Sequence, residues 1–203
     1  MNEITLSGII EKIELSHSKL SEKFYCIQLK SFRQSGTADH IKCIASEVHA
    51  NNLRTGMLVN LSGNVRTRNF NDGEKSRLDI YVFVNDIECF DPENFRTYDN
   101  NCVLLDGFIC KKPIVRDTPL GRKISDVLLA VNGNFGKSAY IPCIIWGRNA
   151  DRVAMCDVGT EIKLKGRLQS REYVKRFEDG TEEIRTAYEV SVMFFEEVSQ
   201  DEN

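Results

Sequence analysis

Residues 159–173 read GTEIKLKGRLQSREY and align without a gap with GMLVNLSGNVRTRNF at residues 56–70. Two further segment pairs match in the same order: ITLSGII at 4–10 with VLLDGFI at 103–109, and IKCIAS at 41–46 with IPCIIW at 141–146. Self-similarity at a fixed spacing is typical of a chain built from repeated structural units. We therefore interpret the chain as two copies of one unit, each about 95 residues long.

The repeat also predicts where the chain divides. We expect a first domain at residues 1–92, a linker at 93–101, a second domain at 102–198 and a short acidic tail at 199–203. Each copy carries an Asp-Gly pair before its last strand-like run. Asp-Gly between two extended runs is a strong hairpin signal, because both residues tolerate the positive φ of a primed turn.

Each copy reads as five strands with one short helix between the third and the fourth. In the second copy we place the strands near residues 102–112, 122–132, 139–146, 160–174 and 184–197. The helix of that copy opens near Arg148 and closes before Gly159, and the helix of the first copy falls in SEVHANNL at 46–53. This order predicts an all-β protein with two tandem OB-folds, which are five-stranded Greek-key barrels. Gly63 and Gly166, midway along the fourth strands, suit the bend of a barrel strand.

The predicted strand from Lys163 to Tyr173 alternates in character. Successive side chains of a strand point to opposite faces, so Ile162, Leu164 and Leu168 form an apolar inner face. The outer face holds Lys163, Lys165, Arg167, Gln169, Arg171 and Tyr173. Cations followed by a ring suit a single-stranded nucleic acid, because they offer charge to phosphates and a flat surface to bases. We predict phosphate contacts for Lys163, Lys165, Arg167 and Arg171, with a solvated polar face as the alternative.

Residues 140–146, YIPCIIW, carry apolar side chains on both faces of the predicted third strand. A barrel strand needs one face for its own core, so the outer face should meet a ligand or another subunit. The loop before this strand and the end of the fourth strand add two more rings. We predict that Phe135, Tyr140, Trp146 and Tyr173 stack on bases, each worth about 1–3 kcal/mol. For any single ring, packing in the core is the alternative.

The composition is that of an ordinary globular protein, with 41% hydrophobic and 28% charged residues. The net charge of −3 hides an uneven distribution, since Lys163–Arg176 holds six basic residues and one acidic residue. No apolar run is long enough to span a bilayer and no signal peptide opens the chain, so we expect a cytoplasmic protein without a membrane partner. Seven cysteines without a CxxC pair, and three histidines, predict no disulfide, metal or other cofactor.

The first copy has a weaker version of the predicted binding face. His40 and Ser46 stand at the positions of Tyr140 and Trp146. The uncharged residues Asn60, Ser62 and Asn64 replace the cations of the other copy. Basic and aromatic character remains only at Arg66, Arg68 and Phe70. We therefore predict that the first domain binds nucleic acid weakly through these three residues or serves mainly in assembly.

The second copy resembles the bacterial single-stranded DNA-binding protein family, in order, over essentially all of residues 101–197. The segments that carry the resemblance are TPLGRKISDVLLAVN at 118–132, YIPCIIWGRNA at 140–150, VGTEIKLKGRLQSREY at 158–173 and YEVSV at 188–192. In that family, four aromatic residues in these segments stack on single-stranded DNA. By position they fall on Phe135, Tyr140, Trp146 and Tyr173, three of which are Phe or Tyr where the family often has Trp.

The tandem arrangement resembles the two-OB variant of this family found among clostridia-like bacteria. The resemblance implies sequence-independent binding and protection of single-stranded DNA in replication, repair or recombination, at the nucleoid. The family assembles four OB domains around DNA, which implies a homodimer for a chain with two. Its long C-terminal linker and acidic, hydrophobic tip have no counterpart in the closing residues EEVSQDEN, so tail-mediated recruitment of genome-maintenance proteins is not expected.

Other function classes receive less support. Gly136-Lys137-Ser138 looks like the end of a phosphate-binding loop, but Val131 stands where that loop needs glycine. No Ser/His/Asp or Cys/His set is recognisable either, so we predict that the protein is not an enzyme. An adhesive sandwich is disfavoured by the helices and by the absence of an export signal. The alternative function is an interaction module of a primosome-like replication complex, although charged residues are depleted from interface cores. DNA and RNA share the recognised features, so the pattern does not distinguish them.

Overall fold

The structure, a computed structural model, describes residues 1–72, 75–91, 93, 101–133, 137–177 and 179–198. The first part of the chain forms β1 (Asn2–Lys19), β2 (Glu22–Phe32), β3 (Ala38–Ser46), α1 (Glu47–Ala50), β4 (Leu58–Asp72) and β5 (Lys75–Phe90). The second part forms β6 (Cys102–Ile109), β7 (Ile114–Asp117), β8 (Lys123–Asn132), β9 (Ser138–Trp146), α2 (Arg148–Met155), β10 (Glu161–Arg176) and β11 (Glu182–Glu197). None of the helices in these ranges is long and apolar enough to cross a membrane.

Strand pairing closes each part into a barrel. In the first barrel, β1 pairs antiparallel with β2 and β4, β2 with β3 and β4 with β5, while β3 and β5 run parallel. In the second barrel, β6 pairs with β8 and β10, β8 with β9 and β10 with β11, while β9 and β11 run parallel. A closed barrel in this order, with its helix after the third strand, is the OB-fold. The predicted fold class is therefore confirmed.

The two barrels are joined edge to edge by antiparallel pairing of β1 with β6. Ile4 and Val103, which occupy the same position in the two copies, stand opposite each other in this ladder. A pseudo-twofold axis therefore passes between these two residues. The sheet is continuous across the junction, so each barrel has a definite orientation toward the other.

Two further hydrogen bonds obey the same pseudo-symmetry. The backbone N–H of His40 in β3 donates to Ser170 Oγ in β10 at 2.9 Å, and that of Tyr140 in β9 donates to Thr67 Oγ1 in β4 at 3.1 Å. Both bonds cross from one barrel to the other. The third strand of each barrel thus packs against the fourth strand of its neighbour, which partly covers both.

The alternation of side chains predicted for β10 agrees with the position of the hydrophobic core. Ile162, Leu164 and Leu168 of β10 are at most 3% exposed, as predicted for the inner face. A Cβ atom on Gly166 would lie 2.5 Å from the carbonyl oxygen of Ser191, and one on Gly63 would collide with the neighbouring strand in the same way. Each glycine adjoins a register shift in its hairpin. Both glycines therefore allow the close approach of the neighbouring strand beside an irregularity in the ladder, the kind of place where barrel strands bend.

Helix α1 lies within SEVHANNL, as predicted, and has four residues. Two local predictions need correction. The expected first strand of the second barrel, near residues 102–112, ends at Ile109, and the additional strand β7 begins after Pro113, which lacks the N–H that a continuous ladder needs. The Asp-Gly turn of the second barrel has a positive φ only at Gly180, and Phe177 N–H bonds to Thr181 O, so the loop is longer than a two-residue primed turn.

Several predicted features lie outside the described residues. They are Phe135, the Gly73 half of the first Asp-Gly pair, the acidic tail at 199–203, and the linker apart from Glu93 and Asn101. Asn101 is buried, and its side chain bonds to both backbone groups of Leu168. It therefore belongs structurally to the second barrel.

Candidate nucleic-acid interface

A groove of about 950 Å³ lies where the two barrels meet. We call it the interbarrel groove. The residues that define it are Arg33 and His40 of the first barrel and Arg116, Arg122, Trp146 and Arg171 of the second. It exists because the β2–β3 loop of the first barrel faces the β7–β8 hairpin, β9 and β10 of the second. Strand–loop surfaces of this kind are where OB-folds bind oligonucleotides.

Trp146 stands on the wall of this groove at the end of β9. The residue is 36% exposed, and its Nε1 donates a hydrogen bond to Ser191 Oγ at 3.0 Å. The preceding residue, Ile145, is fully buried, as strand alternation requires. The indole is therefore held by its edge while part of its surface stays open. That geometry suits stacking on an unpaired base.

Arginine side chains give the groove its charge. Arg122 and Arg171 are exposed, whereas Arg33 and Arg116 are ion-paired to aspartates. The two hydrogen bonds from Arg116 to Asp126, at 2.5 and 3.0 Å, raise the pKa of its guanidinium. Two acidic residues, Glu172 and Glu189, also line the groove, and with Asp39 and Asp126 they match its four arginines in number. The exposed positive charge of the groove therefore lies at Arg122 and Arg171.

Sequence reasoning missed three of these four arginines. Arg116 and Arg122 flank the tight turn of the β7–β8 hairpin, and the loop between the first two strands is a known binding loop of OB-folds. The position of Arg116 and Arg122 in this loop could therefore have identified them from the sequence. Arg33 belongs to the other barrel and enters the groove only because the barrels pack together, so no local pattern could have revealed it.

Arg167 lies in a buried ionic cluster between the barrels and not on an open face. Asp39, whose side chain is fully buried, lies 2.5 Å from Arg33 Nη2 and 3.8 Å from Arg167 Nη2. The backbone N–H of Ser170 donates to the same carboxylate at 2.8 Å. The side chain of Arg167 is only 14% exposed. The expected row of outward cations is therefore interrupted at this point by the first barrel.

Lys163 and Lys165 lie on a different surface. Lys163 stands opposite Asp106 of β6 and Glu196 of β11, and Lys165 stands opposite Leu104 and Phe194. Both lysines are exposed, but neither lines the interbarrel groove. Acidic cross-strand neighbours offset the charge of Lys163. Among the four predicted cations, only Arg171 lines the groove.

A second cleft lies between the β4–β5 and β10–β11 hairpins and is lined by Tyr173 and Phe70. We call it the hairpin cleft. Tyr173 is 38% exposed and Phe70 41%. The guanidinium of Arg171 lies 5.8 Å from the ring of Tyr173. Arg171 therefore lies between the groove and the cleft. The fourth predicted ring of the described residues, Tyr140 on β9, is half exposed, and its backbone N–H takes part in the contact between the barrels.

Arg66 and Arg68 line a third cavity, on the face of the first barrel. We call it the first-barrel pocket. Arg66 lies 3.8 Å above the ring of Phe83, and Arg68 bonds to Asp79 at 2.9 Å. The predicted secondary residues therefore separate, since Phe70 lines the hairpin cleft and the two arginines line this pocket.

Comparison with known proteins identifies the family. A family model described as the single-strand binding protein family matches residues 100–197. Single-stranded DNA-binding protein B of Bacillus subtilis (strain 168) is 34% identical over 80 residues, which are 36% of this chain and 71% of that protein. This chain belongs to the single-strand binding protein family. Single-stranded DNA-binding protein A of the same organism is 36% identical over 80 residues, and the match covers about half of its length, 46%.

Two solved structures share the whole architecture. The single-stranded DNA binding protein from Thermus aquaticus matches with a TM-score of 0.78 at 19% identity, covering 100% of this chain and 95% of that one. A deletion variant of the same protein matches with a TM-score of 0.78 at 18% identity, over 100% and 97% of the two chains. At this identity the likeness shows the fold alone. It extends over both barrels, whereas the family model matches only the second.

Proposed function

We propose that this protein binds single-stranded DNA without sequence preference and protects it during replication, repair or recombination, at the nucleoid in the cytoplasm. Family membership supports stoichiometric binding over catalysis. The observation that carries the proposal is the partly open indole of Trp146, held at the wall of a groove that exposes Arg122 and Arg171. Stacking accepts any base and phosphates are common to all sequences, so this combination is sequence-independent.

The proposed contacts follow from the groove. Phosphates lie near Arg116, Arg122 and Arg171, with Arg33 approaching from the first barrel. These replace Lys163, Lys165 and Arg167, which lie on another face or in the interbarrel cluster. Trp146 is the principal stacking residue. Further bases of the bound DNA stack on Tyr140, Tyr173 and Phe135.

The decisive experiment is a titration of the full chain with dT oligonucleotides of increasing length. Trp146, the single tryptophan, reports groove occupancy by fluorescence quenching. In Trp146→Ala, followed by the anisotropy of a labelled oligonucleotide, we expect the affinity to fall about 5- to 100-fold. The control is Lys163→Ala, which removes a cation of β10 that lies outside the groove. An affinity that is unchanged in Trp146→Ala, or equally reduced in Lys163→Ala, contradicts the proposed site.

We also propose that the chain forms a homodimer that presents four OB barrels. Met193 and Phe194 of β11 are 59% and 54% exposed, on the strand beside Lys165. Apolar side chains of this size suit burial against a second copy. Sedimentation should give twice the mass of the chain, and Phe194→Lys should give the monomer. If the wild type is monomeric and does not quench with DNA, this apolar surface favours the alternative function, an interaction module.

A further inference from the structure

An acidic residue, Glu189, lies on the wall of the interbarrel groove that also holds the indole of Trp146. It belongs to β11 and comes two residues before Ser191, whose hydroxyl accepts the hydrogen bond from the indole. Val190 between them is fully buried, so Glu189 and Ser191 point to the same outward face. Two residues of a strand span about 7 Å, so the carboxylate leaves β11 close to the stacking ring.

The carboxylate of Glu189 is held in place by an uncharged donor. Gln169 stands opposite it in the β10–β11 ladder, is largely buried, and donates from Nε2 to Glu189 Oε1 at 2.9 Å. This is the one hydrogen bond that the described part of the chain makes to the Glu189 side chain. An amide fixes a carboxylate without neutralising its charge. The second oxygen, Oε2, therefore faces the groove as an acceptor for a ligand.

The nearby arginines direct their hydrogen bonds to other acids. The pKa of the Arg33 guanidinium is raised chiefly by its hydrogen bond to Asp39, and that of Arg116 by its hydrogen bond to Asp126. The charge of Glu189 makes a smaller contribution to both increases in pKa. Glu189 therefore lies within the electrostatic reach of two arginines, while its hydrogen-bonding capacity is not used by either of them.

The fold does not require an acid at this position. In the gapless match between the two copies, Gln169 stands at the position of Arg66. Arg66 is opposite Tyr81 in the β4–β5 ladder, so Tyr81 is the equivalent of Glu189. The first barrel closes with a ring where the second has a carboxylate. The acid is therefore a feature of the groove in the second barrel and not of the barrel fold.

The four bases of DNA present different edges to a carboxylate, which only accepts hydrogen bonds. An unpaired guanine offers two adjacent donors, N1–H and the N2 amino group. Adenine and cytosine each offer one amino group beside a ring nitrogen that is itself an acceptor. Thymine offers only N3–H, between two carbonyl oxygens that repel a carboxylate. Unstacked bases in single strands are read on these edges, so a carboxylate beside a stacking ring favours guanine and disfavours thymine.

We propose that Glu189 is a specificity-determining residue that selects guanine over thymine at the position stacked on Trp146. This inference rests on the proposed function, and it adds a preference at one base to binding that is otherwise independent of sequence. Ser191 fixes the edge of the indole and Gln169 fixes the carboxylate. The stacked guanine donates from N1–H and N2–H to the carboxylate of Glu189, in the geometry of a bidentate pair.

The test moves a single guanine through each position of the shortest dT oligonucleotide that saturates quenching of Trp146 in the full chain. So short an oligonucleotide binds in few registers, and anisotropy of a terminal label measures each affinity. We expect one position at which guanine raises the affinity at least about fivefold over thymine. Hypoxanthine, which lacks the N2 amino group, should give a smaller gain there. Glu189→Gln, which removes the charge at nearly the same volume, should abolish most of the guanine gain.

The matched control is Glu172→Gln, which removes the other glutamate of the groove. Glu172 stands opposite Thr186, farther from Ser191 along β11, so this variant should strengthen binding of all oligonucleotides alike and preserve the guanine gain. Equal affinity for guanine and thymine at every position, or a guanine gain that persists in Glu189→Gln, overturns the proposal and leaves the proposed function intact. Absence of both quenching and anisotropy change with every oligonucleotide refutes both.

Discussion

The two barrels share one strand order, one kind of bend glycine and a common axis, yet their faces differ. The second barrel exposes its rings on the third strand, at Tyr140 and Trp146. The first barrel has His40 and Ser46 there, and gathers its rings on the flanking strands at Phe24 and Phe83. Both barrels therefore carry aromatic rings on the same outer face, but at different positions on it.

Charge differs between the barrels in a related way. Arg68 and Arg171 occupy equivalent positions, but Arg68 bonds to Asp79, whereas Ala187 stands at the equivalent position of the second barrel. The contact between the barrels is also asymmetric. Asp39 anchors one side of it, and Ala139 occupies the equivalent position on the other. At both pairs of equivalent positions, the aspartate that forms an ion pair belongs to the first barrel and the second barrel has alanine.

The largest effect should come from the interbarrel cluster. Asp39→Ala leaves Arg33 and Arg167 without their shared carboxylate, so we expect the free energy of unfolding to fall by about 3–5 kcal/mol. Urea denaturation measures this loss. The control is Thr67→Ala on the pseudo-equivalent contact, which removes one hydrogen bond and should cost about 1 kcal/mol. Equal losses in the two variants would show that the asymmetry has no energetic consequence.

The next comparison concerns the equivalent arginines. Arg171→Ala should weaken DNA binding and reduce the slope of log affinity against log salt by about 0.7, the value for one phosphate of a single strand. Arg68→Ala should have a smaller effect, because Asp79 already neutralises part of that charge. Isotherms at several salt concentrations measure both slopes. A larger change in Arg68→Ala would reverse our ranking of the two faces.

Removing the acid of the first barrel should have a smaller effect of opposite sign. Asp79→Ala installs the residue found at position 187 and releases Lys42 and Arg68 from their ion pairs. We expect affinity for long dT to rise about threefold and its salt dependence to steepen. Quenching of Trp146 by a short oligonucleotide should not change. A gain that is equal for short and long strands would place the effect outside the first barrel.

The smallest effect on function concerns the two buried cysteines, which are equivalent. Burial raises the pKa of the Cys43 and Cys143 thiols, whereas Cys89 is exposed. A thiol reagent at pH 8 should therefore label Cys89 first and leave the two buried thiols intact, as mass spectrometry can show.

The same shift has a consequence for stability, because the pKa is higher in the folded than in the unfolded chain. The stabilisation is complete below the ordinary thiol pKa of about 8.5 and is lost as the pH rises above it. Urea denaturation at pH 7.5 and 9.5 should show this loss, and Cys43→Ala should reduce it. Rapid labelling of Cys143 at pH 8 without unfolding would contradict the buried environment of both thiols.

Much of the fold could be predicted because its signals are local. Apolar residues at every second position of β10 specify the inner face, and Gly166 permits the close approach of β11. The break between β6 and β7 also has a local cause, in Pro113. The segment that holds α1 was predicted, but its exact ends were not, since helix boundaries are weakly specified by local sequence.

Less of the candidate site could be predicted. Strand alternation correctly identified Trp146 as an outward ring, but it assigned Lys163, Arg167 and Arg171 to one face without showing what lies over each. The structure places these three in different surroundings. The rings at Phe24 and Phe83 were missed because the comparison of the two copies followed only the third and fourth strands.

The sequence by itself determined the duplication, the barrel order and the alternation of side chains along the fourth strand of the second barrel, because periodicity and glycine positions act within a strand or between adjacent strands. Only the tertiary structure decided which outward side chains stay accessible. Edge-to-edge pairing of β1 with β6 brings Asp39 over Arg167 and carries Arg33 into the groove of the other barrel. Contacts between residues more than a hundred positions apart depend on how the barrels pack, which no local pattern encodes.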